Sequence, residues 1–251
     1  MIGSKLTPPR SLKDRVALVT GAAGGLGKAI VSDLQSRGAI VYGVDVSGDG
    51  VIHTDLSTTE GNRDIISHVL NEAGRLDILV LNAGCQFTAP IDQFPDEEWD
   101  RLRAVMLDGP FQAIKAAWSA LSQSRAGRII VTASPLSWSG APHKAAYTAA
   151  KHGVMGLVRT AALEGAKLGI TANAVAPGWM DTGLMRGQLD AQAARRGKSV
   201  EEVVELFRAD QPADRFVEVS EVAAVIGFLA GPGASAVSGT CIPVDLGACA
   251  Q

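Results

Sequence analysis

Tyr147 and Lys151 lie four residues apart in a stretch with helical character, Ala145–Lys151. Positions four apart on a helix share one face, so a phenol and an ammonium would point into the same space. A phenol is a poor acid or base at neutral pH, but a neighbouring cation favours its ionised form. Ser134 closes the apolar run Arg128–Ser134 and can bring a hydroxyl to the same space. This set of groups suits proton transfer to or from a substrate oxygen.

A Tyr-x-x-x-Lys pair alone is a weak signal, and a glycine-rich turn far upstream strengthens it. The turn Thr20–Gly27 follows the apolar run Val16–Val19 and opens a segment with apolar residues at helical spacing. A strand, a glycine turn and a helix N-terminus form a phosphate cradle, because free N–H groups and the helix dipole favour negative charge. Gly21, Gly25 and Gly27 leave room for a pyrophosphate. The sequence therefore predicts a nucleotide site at this turn.

Together these motifs resemble the short-chain dehydrogenase/reductase family, from about Val16 to Gly247. The pairs Asp55-Leu56 and Pro177-Gly178 also match, as does Asn82-Ala83-Gly84. The resemblance implies hydride transfer between a nicotinamide and an alcohol or carbonyl carbon, with Ser134, Tyr147 and Lys151 as catalytic residues. The predicted cofactor-binding residues are Gly21, Gly25, Leu26, Gly27, Asp45, Asp55, Leu56, Asn82, Ala83, Gly84, Tyr147, Lys151, Pro177 and Thr182.

Asp45 gives a physical argument for the choice of cofactor. It directly follows the strand-like run Ile40–Val44, where a carboxylate can accept hydrogen bonds from both ribose hydroxyls. The same carboxylate would repel a 2′-phosphate, so NAD is favoured over NADP. Lys28 is a weaker signal in the other direction, since a nearby cation would tolerate a phosphate. Asp55 has a second interpretation as a helix cap for the segment Ser57–Thr59.

The order of predicted elements indicates an α/β protein with a single-domain, Rossmann-type, doubly wound parallel sheet and helices on both faces. Residues 15–251 form the predicted domain, and residues 1–14 an N-terminal extension. The polar segment at about 181–212 interrupts the alternation and is predicted to be a substrate lid. Strands are predicted at Val16–Thr20, Ile40–Val44, Val51–Thr54, Leu76–Leu81, Arg128–Thr132, Ile170–Ala176 and Cys241–Val244, and helices at Leu26–Arg37, Thr59–Ala73, Pro95–Ser124, Lys144–Leu168 and Val219–Leu229.

Composition narrows the classes of function. The 251 residues are 47% hydrophobic, which is enough for a large core, and the formal net charge is −3. No basic run suggests nucleic acid, and the longest apolar run, Val222–Ala230, is too short to span a bilayer. The three cysteines have no metal-ligand spacing, and their odd number favours a reducing compartment. We therefore expect a cytoplasmic protein without a bound metal that acts on a small molecule.

A closer resemblance, to the bacterial 3-hydroxybutyrate dehydrogenases of this family, rests on the segments Asn82–Gln86, Pro142–Tyr147, Ala149–Val154 and Gly169–Ala174. That resemblance implies that Gln86, Lys144 and Gln188 hold the carboxylate of a hydroxy acid, with Trp179 close by. The position of the histidine in that carboxylate site is occupied by Leu136, which adds apolar wall and removes one anion contact. We therefore expect either a small 3-hydroxy acid such as 3-hydroxybutyrate, or the same chemistry on a neutral, more apolar alcohol or ketone.

A second departure concerns proton transfer. Met106 stands where the family usually has an asparagine that holds a relay water, and a thioether cannot donate a hydrogen bond. Another group would then serve, or turnover would be slow. Two other classes stay open: an NAD-binding protein with little turnover, and a lyase or epimerase that uses transient oxidation. Family resemblance also implies a homo-oligomer, with a tetramer favoured over a dimer.

Overall fold

The computed structural model describes residues 11–124 and 126–250, and within them the seven predicted strands form one parallel sheet. The strand order is β3-β2-β1-β4-β5-β6-β7, the doubly wound arrangement that the sequence predicts. The strands are β1 Val16–Thr20, β2 Ile40–Asp45, β3 Ile52–His53, β4 Ile78–Leu81, β5 Arg128–Thr132, β6 Thr171–Pro177 and β7 Cys241–Val244.

Helices cover both faces of this sheet because each central strand is apolar on both sides. Strands β1 and β4 are buried at every position, the burial pattern of a parallel sheet between two helical layers. The helices are α1 Gly25–Ser36, α2 Thr59–Ala73, α3 Asp96–Arg103, α4 Gly109–Gln123, α5 Ala145–Gly165, α6 Gly183–Arg186, α7 Leu189–Arg196, α8 Val200–Ala209 and α9 Val219–Ala230. One apolar core lies under α2, α4 and α5, and the other lies under α1 and α9.

The predicted long helix over Pro95–Ser124 is interrupted. A π-helical turn, Ala104–Asp108, separates α3 from α4. Its cause lies in the sequence, because Pro110 has no N–H to donate to the carbonyl of Met106. The N–H of Gly109 bonds to the carbonyl of Ala104, five residues back. The carbonyls of Val105 and Met106 are therefore left without their α-helical donors. Single π turns of this kind are frequent at functional sites.

The direction change in strand order lies between β1 and β4, and the loops that follow these two strands meet there. Asn82, just after β4, donates its side-chain amide to the carbonyl of Thr20 at 3.1 Å. Its side-chain oxygen accepts a hydrogen bond from the hydroxyl of Thr132, at the end of β5, at 3.1 Å. One amide thus ties together three strand ends. In doubly wound sheets ligands bind at this kind of switch point.

The segment predicted to be a lid follows β6 and contains α6, α7 and α8. It has its own small apolar cluster, which includes Met185, Leu189, Val203 and Phe207. Movement of this segment remains a prediction. The predicted N-terminal extension falls mostly on residues 1–10, which lie outside the described residues. Among the helices of residues 11–124 and 126–250, none is long and apolar enough to cross a membrane.

Candidate active site

The carboxyl ends of the strands open into one large cavity of about 1810 Å³. Every residue predicted from the sequence to bind cofactor or substrate, or to act in catalysis, lines it. The set includes residues far apart in the chain, such as Gly21, Asp55, Tyr147 and Gln188. The structure therefore brings all the predicted site residues together, while their individual roles remain predictions.

The groups predicted to be catalytic are held by β5 and α5. The ammonium of Lys151 donates to the carbonyl oxygen of Thr132, the last residue of β5, at 2.6 Å. It lies 5.6 Å from the centroid of the Tyr147 ring. Ser134 begins a short 3₁₀ turn after β5, and its hydroxyl oxygen accepts a hydrogen bond from the backbone N–H of Leu136 at 3.2 Å. The helical spacing of Tyr147 and Lys151 and the end of β5 thus put all three groups at one place.

Burial changes the acidity of these groups. Withdrawal from water raises the pKa of the Tyr147 phenol, the hydrogen bond from Ser134 opposes that change, and the Cys85 thiol nearby adds to the rise. Burial also lowers the pKa of Lys151 to about 8. Any positive charge brought beside Tyr147 favours its phenolate, since opposite charges stabilise the ionised form.

The glycine turn fits a dinucleotide phosphate. At Gly21, with φ of +66°, an added Cβ would lie 2.9 Å from the Cα of Ala83, and at Gly27 it would lie 1.9 Å from the carbonyl oxygen of Gly21. Those two glycines allow close packing of the backbone. At Gly24 and Gly25 an added Cβ would meet nothing in the described chain closer than 3.5 Å. The lack of a side chain at these two positions therefore leaves open space in the cavity. Because no described side chain caps α1, its first N–H groups are available to an anion.

Two acids line the end of the cavity beyond the glycine turn. Asp45 accepts hydrogen bonds from the backbone N–H of Ala23 at 3.0 Å and of Val46 at 2.8 Å, which fixes its carboxylate beside the turn. Asp55 accepts from the N–H of Ser57 at 2.9 Å. The helix-cap interpretation of Asp55 is wrong in detail, because Thr58 is the N-cap of α2. The Asp55 carboxylate instead orders the turn before that helix.

The other end of the cavity is rich in cations and amides. Lys144 is 8% exposed, and its ammonium lies 4.9 Å from the centroid of the Trp179 ring and 5.9 Å from that of Tyr147. Burial, together with the smaller effect of the charges of Arg195 and Arg196, lowers its pKa to about 8. Gln188 is buried, and its side-chain oxygen has no hydrogen-bond partner among the described residues. Buried polar atoms normally have partners, so this oxygen suits a ligand group that donates a hydrogen bond.

Sequence reasoning did not identify the cavity-lining residues of α7. Gln192, Arg195 and Arg196 all line it, and Arg195 donates to the hydroxyl of Thr88, in the loop after β4, at 2.8 Å. Only their position in the predicted lid indicates that they could reach the cavity. Their residue types give no such indication, because charged residues on a short helix usually face solvent. His143 also lines the cavity, and it has a φ of +65°. His152 is on the exposed side of α5, where it contacts the carbonyl of Thr148.

Comparisons with known proteins agree with this geometry. Residues 21–249 match the enoyl-(acyl carrier protein) reductase family. The chain is 37% identical to a D-beta-hydroxybutyrate dehydrogenase of Rhizobium meliloti, over 94% of this chain and 99% of that protein. The crystal structure of a levodione reductase superposes with a TM-score of 0.91 at 30% identity, covering 96% of this chain and 99% of the other. A putative NAD(P)-dependent gluconate 5-dehydrogenase from Beutenbergia cavernae with bound NADP gives a TM-score of 0.85 at 32% identity, covering 97% and 100%.

The chain belongs to the short-chain dehydrogenase/reductase family. This short-chain dehydrogenase/reductase departs from the family pattern at Met106, which is fully buried in the π turn and lines the cavity. The Met106 thioether cannot donate a hydrogen bond at this position.

The effect of the Ser134 hydroxyl on the pKa of Tyr147 can be tested without any substrate. The chain has two tyrosines, Tyr42 and Tyr147, so ultraviolet absorbance of a Tyr42→Phe variant follows the titration of Tyr147 alone. We expect Ser134→Ala to raise the pKa of Tyr147 further, because a hydrogen bond to the phenolate is lost. Ser139→Ala, an exposed serine just past the same turn whose hydroxyl donates to the carbonyl of Pro135, serves as the control and should leave the titration unchanged. An unchanged or lower pKa in Ser134→Ala would contradict this assignment.

Proposed function

We propose that the protein is an NAD-dependent oxidoreductase that interconverts a small 3-hydroxy acid, such as 3-hydroxybutyrate, and the matching 3-oxo acid. The observation that carries the proposal is the position of Lys144. Its ammonium is buried, has no acidic partner among the described residues, and lies beside Tyr147 in the same cavity as the glycine turn. Buried charges are normally paired, so a ligand carboxylate is the natural partner.

The residues then have distinct roles. During reduction Tyr147 donates its proton to the carbonyl oxygen, and during oxidation the phenolate takes the proton of the alcohol. Ser134 donates a hydrogen bond to the same oxygen, and Lys151 favours the phenolate. Bound nicotinamide supplies or accepts the hydride at the substrate carbon. The residues proposed to hold the cofactor are those of the glycine turn, Asp45, Asp55-Leu56, Asn82–Gly84, Pro177 and Thr182.

The acid group of the substrate is proposed to lie at the cationic end of the cavity. Lys144 would pair with the carboxylate, while Gln86 and Gln188 would donate their side-chain amides. Trp179 would form the adjoining wall. Leu136 lines the cavity beside Ser134 and supplies apolar contact in place of a hydrogen bond.

A neutral, more apolar ketone or alcohol is the second candidate. Leu136 favours it, together with Pro135 and Trp138, which line the same side of the cavity. The similarity to a levodione reductase agrees with this alternative. A protein that binds NAD with little turnover is a third candidate, and Met106 favours it. A lyase or epimerase would form product without net NADH.

The proposal extends to the cellular location and the oligomeric state of the enzyme. The three cysteines are unpaired, as expected for a reducing compartment, so we place the protein in the cytoplasm. Exposed apolar side chains on α4 and α5, Phe111 and Leu163, favour association of subunits, with a homotetramer preferred.

Turnover with a panel of alcohols tests the proposal. We expect NADH to form from D-3-hydroxybutyrate, and Tyr147→Phe to lower kcat by at least about a hundredfold because the proton carrier is lost. Binding of NAD, measured by calorimetry, should persist in the variant. Longer 3-hydroxy acids, the L enantiomer and neutral secondary alcohols complete the panel. Turnover of the neutral alcohols alone would favour the second candidate, and NAD binding without any turnover would favour the third.

The carboxylate of Asp45 predicts the preference for NAD. We expect kcat/KM with NAD to exceed that with NADP, and Asp45→Ser to narrow the ratio by about tenfold or more, equal to about 1.4 kcal/mol, because repulsion of the 2′-phosphate is removed. Asp45→Asn is the control that keeps the shape of the side chain while removing its charge. It should narrow the ratio as well. A ratio that does not change in either variant would show that Asp45 does not select the cofactor.

A further inference from the structure

Trp179 lies in the middle of a stack that connects the cationic end of the cavity to α8. Its ring is nearly parallel to that of Phe207, with centroids 3.9 Å apart and planes at 7°. The ammonium of Lys144 lies over the Trp179 ring at 4.9 Å from its centroid. Because Phe207 fills one face of the indole at that distance, the ammonium occupies the other. A cation over an indole face is attracted by the ring quadrupole.

Polar contacts fix the indole in its own plane. Its Nε1–H donates to the Asp210 carboxylate, one residue past the end of α8, at 3.0 Å. The backbone N–H of Trp179 donates to the side-chain oxygen of Gln211 at 3.1 Å, and the Gln211 amide donates back to the carbonyl of Trp179 at 3.1 Å. Gln211 and Phe207 are both buried. The position of Trp179 is therefore set by the C-terminal end of α8.

The charge and position of the Lys144 ammonium depend on the Trp179 ring more than those of an exposed lysine would. Its ammonium is buried and lies in the field of Arg195 and Arg196, and both conditions disfavour its charge. Among the described residues no carboxylate forms an ion pair with it. The face of Trp179 is thus the main attractive contact of this ammonium in the protein without substrate, and the stack contributes to both its position and its charge.

We propose that Phe207 and Asp210 are positioning residues for substrate selection: by holding Trp179 against Lys144, they set the affinity of the enzyme for the carboxylate of an acid substrate. The inference rests on the proposed function, since it assigns the carboxylate to Lys144. It places a determinant of acid specificity on α8, the third helix of the predicted lid, at residues that line the cavity but are not those proposed to bind the carboxylate. Folding of the predicted lid would therefore also complete the site at Lys144 that binds the substrate carboxylate.

The test compares an acid with its neutral counterpart. D-3-hydroxybutyrate and its carboxamide differ in charge at nearly the same shape, so the carboxamide reports general damage to the cavity. We expect Phe207→Leu, which keeps the apolar volume but removes the ring, to raise KM for the acid about fivefold, within the range expected for the loss of a cation–π contact. KM for the carboxamide and kcat for both substrates should change little. Phe207→Tyr, which keeps the ring, should have the wild-type KM for the acid. Asp210→Ala should raise KM for the acid, but not for the carboxamide, as Phe207→Leu does.

Chemical labelling gives a second readout that needs no substrate. Acetic anhydride labels deprotonated, accessible lysines, and mass spectrometry gives the rate at Lys144 relative to the exposed Lys28 of the same molecule. We expect faster labelling of Lys144 in Phe207→Leu than in the wild type, and the wild-type rate in Phe207→Tyr. Equal increases in KM for acid and carboxamide would overturn the proposal, and so would an unchanged labelling rate. A wild type that uses acid and carboxamide equally well would reject the acid substrate itself, and the labelling rates would then decide on the stack alone.

Discussion

The hydrogen bond between the buried ammonium of Lys151 and the carbonyl of Thr132 is the contact on which the site depends. It joins α5 to the end of β5, and so places Tyr147 beside Ser134, which follows that strand. A buried ammonium is costly unless hydrogen bonds satisfy it, so its position is strongly determined. Burial also lowers the pKa of Lys151 to about 8. The same residue is therefore both a structural connection and a group whose charge responds near neutral pH.

The rest of the site is arranged around that connection by the parallel sheet. Because the carboxyl ends of the strands meet at one edge, the loops after β1, β4, β5 and β6 all reach the cavity. The Asn82 amide holds three of those ends together. The cavity has two chemically different ends: one with backbone N–H groups and the acids Asp45 and Asp55, the other with Lys144 and the arginines of α7. In the proposed function this polarity would orient a dinucleotide and an anionic substrate along one direction.

Most of the fold could be predicted because the periodicity of apolar residues and the glycine turn are local signals. All seven predicted strands form, and shifts of one or two residues at their ends reflect pairing that the pattern does not contain. The break in the helix over Pro95–Ser124 was signalled by Pro110 but not predicted, since a π turn depends on the contacts around it. The residues of α7 could not be assigned, because their sequence is typical of a solvated helix. The stack of Trp179 on Phe207 joins two distant segments and has no local signal.

Transfer of deuterium tests the central claim most directly. The account predicts that a 3-hydroxy acid with deuterium at its carbinol carbon delivers that deuterium to the nicotinamide of NADH, as mass spectrometry of the isolated cofactor would show. Oxidation by wild-type enzyme should also be slower with the deuterated acid than with the ordinary one. Deuterium found in water, or kept in a product formed without NADH, would contradict a net hydride transfer in this cavity. That result would leave the lyase or epimerase interpretation in its place.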